Sequence, residues 1–177
     1  MTAVALPSPS QALLVALQRE IRLTRPFLVR LPAAHFAWQP HAKSMTLGQL
    51  ASHLADMLGN IEDTLATDSY DMVTAPAADR LATATSPAEV LARFDTNTDR
   101  AGAALAAATE AALAQVWTFS AGEQVIFSQP RAQIVRELLL DHLIHHRGQL
   151  SVYLRLLEVV VPGTYGPTAD EPTFDFA

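Results

Sequence analysis

Apolar residues recur three and four apart along four long stretches of this chain, and each stretch opens on a capping residue or a proline. That pattern demands helices with one buried face. The first helix is expected from about Ser8 to Leu31, capped by Ser8 or Ser10, with Leu13, Leu14, Leu17, Ile21, Leu28 and Leu31 on its stripe. Pro26 falls inside it and marks either a kink or an end, because proline removes a backbone donor. Thr46 with Gln49 forms a capping box for a second helix, whose stripe is Leu47, Leu50, Leu54, Met57, Leu58, Ile61 and Leu65. Ser86-Pro87 with Glu89 opens a third, alanine-rich helix to about Ala114, with Gly102 as its weak point. Pro130 starts the fourth, reaching about Glu158.

Between them, Pro32 to Met45 and residues 68 to 85 read as loops, the second with Pro76 in its middle. Trp117 to Ser128 is less helical, and Ala-Gly-Glu-Gln between two β-prone stretches suggests a short hairpin. After Pro162, glycine and proline leave an irregular tail. The expectation is an all-α helical bundle forming a single domain over residues 1–177.

Composition removes several function classes. The 177 residues include no cysteine, which excludes disulfides, thiolate metal sites and a cysteine nucleophile. The net charge is -6 and Lys43 is the only lysine, so no basic stripe exists to neutralise phosphates and direct nucleic-acid binding is not expected. No apolar run approaches the roughly 20 residues of a membrane span. No charged segment precedes the N-terminal apolar stretch, so a secretory signal is not expected either. The expectation is a soluble cytoplasmic protein without membrane or nucleic-acid partners.

Three of the six histidines stand in Asp141-His142-Leu143-Ile144-His145-His146-Arg147. With His142 at zero and about 100° per residue, Val135, Leu139, Leu150, Tyr153 and Leu157 fall between about +20° and +80°. His146 falls at about +40°, inside that stripe, and His142 lies at its edge. His145 falls at about -60°, although Leu138 and Leu156 at about -40° broaden the apolar face towards it. His142 and His146 therefore look inward and His145 flanks them. His53 borders the second helix's stripe, three after Leu50 and four before Met57. Taken singly, each reads as a core histidine with one hydrogen-bond partner. Together they form an expensive set, since an unsatisfied buried polar group costs about 1–3 kcal/mol. A divalent metal would collect all three, and three-histidine sites are known in open catalytic centres. His35 and His41 lie in the proline-flanked loop and read as solvated.

At these residues the chain resembles the DinB-like family of helical-bundle metalloenzymes. The matching blocks are Met45-Thr-Leu-Gly-Gln-Leu-Ala-Ser-His53-Leu-Ala, then Asp141-His142-Leu-Ile-His145-His146-Arg147-Gly148-Gln149-Leu150 with Tyr153-Leu154-Arg155, then the closing segment Pro162 to Glu171. The resemblance implies an antiparallel four-helix bundle, a homodimer, and one metal held by His53, His142 and His146. Asp141 stands where relatives often carry asparagine, which bears on a contact behind the ligands. His145, Arg147, Gln149 and Tyr153 join Asp141 as residues expected around the pocket.

Three imidazoles leave a coordination position for water or substrate. Zinc or nickel suits such donors best, with iron or manganese as further candidates. Relatives of this fold include transferases and isomerases that use low-molecular-weight thiols of the bacillithiol or mycothiol type. The leading expectation is thus a thiol-dependent S-transferase acting on small electrophiles. The runner-up is a metal-dependent hydrolase using activated water, and a third reading is a non-catalytic metal-binding protein of a stress response. The sequence names no general acid or base. Asp56 and Glu62 share the His53 helix and read as surface carboxylates, while Trp38 and Trp117 read as packing residues.

Overall fold

The computed structural model describes residues 7–75 and 82–172; Pro76 lies outside them. Helix α1 (Pro9–Val29) opens on a capping box: Ser8 accepts from the Gln11 backbone and Gln11 accepts from the Ser8 backbone in return. Pro26 sits within the helix, which ends one turn later. A short turn at Ala33–His35 leads to α2 (Leu47–Asp56), which begins on the Thr46–Gln49 capping box.

The expected second helix is divided in two. At Met57 and Leu58 the bonds tighten to three-residue spacing, with Asn60 N–H donating to the Met57 carbonyl and Ile61 N–H to Leu58, before α3 (Gly59–Ala66). Gly59 permits a close approach from the next long helix, because a Cβ there would stand 3.0 Å from Asn97 Oδ1. Helix α4 (Pro87–Ala107) is capped by Ser86 and stops seven residues before the expected end. Thr109 caps a separate α5 (Glu110–Ala114).

The expectation of an all-α chain is corrected by a three-stranded mixed sheet. Strand β1 (Ser69–Asp71) lies in the stretch expected to be loop and pairs parallel with β2 (Val116–Ala121). Strand β3 (Gln124–Pro130) returns antiparallel to β2 after Gly122, whose φ of +62° suits a two-residue hairpin turn. Tyr70, Phe119 and Phe127 occupy facing positions across the three strands, and their rings stack at 5.9 and 5.2 Å. This ladder gives β1 a reason to be a strand that its three residues do not carry alone. Asp71 ties the edge down, accepting from the Val73 and Gly122 backbones.

The last helical stretch runs through α6 (Arg131–Gln133), a π-helical segment (Ile134–Leu140) and α7 (Asp141–Leu156). Buried Arg131 joins it to the sheet, reaching the Thr67 carbonyl, Asp68 and Gln115. In the core, α4 packs on α1, α2 and α3, while α7 packs on α1 and α2. Leu17, Leu28, Leu50, Leu54, Phe94, Leu143 and Leu150 are fully enclosed there. The closing segment lies over the body, held by Arg155–Asp170 and Arg30–Glu171 ion pairs. Among the described residues, no helix is long and apolar enough to cross a membrane.

Candidate metal centre

Helix α2 brings His53 against α7, where His142 and His146 stand one turn apart. Candidate ligand nitrogens of the three lie within 4.8 Å of one another. Ring centroids are 4.4 Å apart for His142–His146, 4.7 Å for His53–His146 and 5.3 Å for His53–His142. His146 is buried and the other two are half-buried. His145 is exposed, with its ring 4.9 Å from His146 and 6.4 Å from His142.

The rings are held in defined orientations. Nδ1 of His146 is 2.6 Å from Gln149 Oε1, and its Nε2 is 2.7 Å from His142 Nε2. In the tautomer that donates from Nδ1 to Gln149, Nε2 of His146 offers its lone pair towards His142. His142 is hydrogen-bonded in turn to the Leu138 backbone in the π-helical segment. Such segments are frequent at functional sites, and this one directly precedes the histidine pair.

All three imidazoles favour the neutral form. Burial lowers His53 to about 4, assisted by His146 and His142. Burial also lowers His142, with His145 contributing, and His146, where Gln149 opposes the shift. Neutral imidazole is the metal-binding form. The donor set therefore fits a divalent cation: three imidazoles that favour the neutral form converge, and two of their Nε2 atoms stand 2.7 Å apart.

The remaining expected residues divide. Arg147 turns away from the cluster into a buried ion pair, 2.7 Å from Glu20 Oε2 and 3.1 Å from Thr24 Oγ1. Asp141 pairs with Arg136 at an exposed position. Tyr153 packs edge-on against Trp38 and donates to the Met45 carbonyl, 3.1 Å away. Trp117 donates to Thr67 Oγ1. His35 and His41 are exposed. Glu62 is a surface partner of Arg100, as expected. Asp56 is not a simple surface carboxylate, since its side chain keeps 19% of its exposure and lines a cavity of about 250 Å³ with Gln49, Ser52 and His53. No periodicity argument could find this, because the burial comes from α4 and from Thr83 in a distant loop.

A model of the DinB superfamily matches residues 16–150. The chain belongs to the DinB superfamily. Three solved structures share its fold. A DinB-like protein of Bacillus subtilis is 17% identical with a TM-score of 0.65, covering 92% of this chain and 99% of its own. One from Bacillus cereus is 22% identical with a TM-score of 0.67, covering 86% and 95%. The mycothiol-dependent maleylpyruvate isomerase is 15% identical with a TM-score of 0.54, covering 88% of this chain but 62% of its own. No curated protein matches the chain in sequence. At these identities the likeness concerns fold. The superfamily and the three clustered histidines are compatible with a metal-binding protein.

Proposed function

We propose that His53, His142 and His146 hold one divalent cation and that the protein transfers the sulfur of a low-molecular-weight thiol to a small electrophile. The observation that carries this reading is the convergence of three neutral imidazoles within 4.8 Å, beside a cavity lined by His53. A bound cation would supply Lewis acidity that favours the thiolate of a thiol placed there.

The chain's own part is positional. Burial keeps His53 neutral, and Gln149 holds His146 in the orientation that presents Nε2. The cavity beside His53 leaves room for a ligand. Since the chain has no cysteine, the sulfur must arrive on a diffusible thiol. In the transfer, a carbon–sulfur bond forms, the electrophile's leaving group departs with its electron pair, and the thiol proton passes to solvent. The fold shared with an isomerase named for its mycothiol dependence supports the choice of a thiol.

The test is conjugation of cysteine, glutathione, bacillithiol and mycothiol to 1-chloro-2,4-dinitrobenzene by zinc-loaded and nickel-loaded protein. At least one thiol should react faster than with metal-stripped protein, and His142→Ala should lose the difference. Equal rates in loaded and stripped protein for every thiol would remove the transferase reading.

A further inference from the structure

The cavity at His53 shares a wall with a larger one. Asp56 and Asn60 line both, and the second encloses about 590 Å³, within the range of small-molecule sites. Trp117, Phe119 and Leu139 make an apolar side of this second cavity, facing polar groups of α3 and α4.

Asp56 is poorly served by its neighbours. Its Oδ2 is 3.4 Å from Arg93 Nη1, a long contact. Arg93 is already engaged more closely, 2.5 Å from Glu89 and 2.7 Å from the Ala82 carbonyl. One guanidinium thus serves two carboxylates. The other oxygen, Oδ1, is buried and has no hydrogen-bond partner among the described residues. Burial pushes this carboxyl up in pKa, and Arg93 offsets only part of that push. A buried acceptor without a donor is costly, and none of the described residues supplies one to this oxygen of a residue that lines both cavities. The terminal torsion of aspartate is soft, so Oδ1 can reorient to meet a donor.

We propose that the two cavities form one binding site for a small primary amine, with its ammonium on Asp56 and its apolar portion against Trp117 and Phe119. An ammonium has three donors and no acceptor, so it provides the missing hydrogen bond and a positive charge that Asp56 need not share with Glu89. A neutral hydroxyl provides only the bond. An anionic ligand would meet the Asp56 carboxylate and be repelled. The site goes beyond the transferase reading and does not require a cation on the histidines.

The probe is benzylamine, with benzyl alcohol as its uncharged counterpart, added to the isotope-labelled full chain near neutral pH, where a primary amine is charged. The indole N–H resonance of Trp117, distinguished from Trp38 by Trp117→Phe, reports occupancy. Benzylamine should shift it saturably and bind about tenfold more tightly than benzyl alcohol, as expected for a charge-assisted contact. Asp56→Asn should remove that preference while leaving metal content unchanged. Asn60→Leu, which crowds the shared wall without touching the carboxylate, should weaken benzylamine as well. No saturable shift overturns the proposal, as does equal affinity for the two probes in the unaltered protein, a comparison that needs no variant.

Discussion

His142 Nε2 lies 2.7 Å from His146 Nε2, a distance at which two neutral acceptors repel unless a proton or a cation lies between them. With His53 completing the set, the arrangement makes metal content the first quantity to measure. His53→Ala, His142→Ala and His146→Ala should each strip the purified protein of its metal by elemental analysis. His145→Ala should retain it, because that ring is exposed and 6.4 Å from His142. Loss in His145→Ala equal to that in His146→Ala would reverse the ligand assignment.

Gln149 would act through His146 on a metal bound at the three histidines. Its Oε1 is 2.6 Å from Nδ1 and fixes the ring that offers Nε2. Gln149→Leu keeps the side-chain bulk and removes the acceptor. Metal affinity in a competition titration with a chelator should fall by about 10–100-fold, as is typical when the partner behind a histidine ligand is lost. Gln149→Glu, which keeps an acceptor, should restore most of it.

Much of this centre is legible in the sequence, and the limits have physical causes. The His142–His146 spacing lies within one helix, so angular reasoning places both rings on one face. His53 is 89 residues from His142, and only the packing of α2 on α7 unites them; the sequence shows a matching face without the contact. Strand β1 is three residues long and pairs parallel with a strand more than 40 residues later, so it leaves no alternation to read. The π-helical segment changes the turn just before His142 without an identifiable sequence signal. Asp56 shows the same limit, because its burial depends on neighbours far away in the chain.

The histidine shifts set a pH dependence with a definite sign. An unfolded histidine titrates near 6.5, while folded His53 does so at about 4. Between those values the unfolded chain binds more protons, so stability is intact above about 6.5 and falls as pH drops towards 4. Metal-stripped protein should melt at progressively lower temperature across this window. His53→Gln should flatten that slope, measured by calorimetry in parallel with the unaltered chain. An unchanged slope would show that His53 is not held neutral.

Arg147 sets the rotation of α7 by anchoring its opposite side to α1. Its ion pair with Glu20 leaves the two side chains 3% and 5% exposed. Arg147→Met strands a buried carboxylate and should cost about 3–5 kcal/mol in urea denaturation. Removing both charges, as in Arg147→Met with Glu20→Leu, should recover most of the loss. Equal losses in the single and double variants would show that packing, rather than charge, holds this contact.

Gly48 controls how closely α2 approaches the preceding loop, and so where His53 sits. Its N–H donates to the Phe36 carbonyl at 2.9 Å, and a Cβ would stand 2.7 Å from Phe36 Cδ1 and 3.1 Å from that same carbonyl oxygen. Alanine is the better helix former by about 1 kcal/mol, yet overpacking of this kind typically costs about 1–3 kcal/mol. Because backbone as well as side chain is in the way, the steric cost should prevail and Gly48→Ala should lower the melting temperature. The start of α2 would have to shift, moving His53 relative to His142 and His146, so metal affinity should fall with stability. Gly102→Ala, where nothing lies within 4 Å, is the matched control and should stabilise α4 without altering metal content. Gly48→Ala behaving like that control would show that α2 can move without disturbing the three histidines.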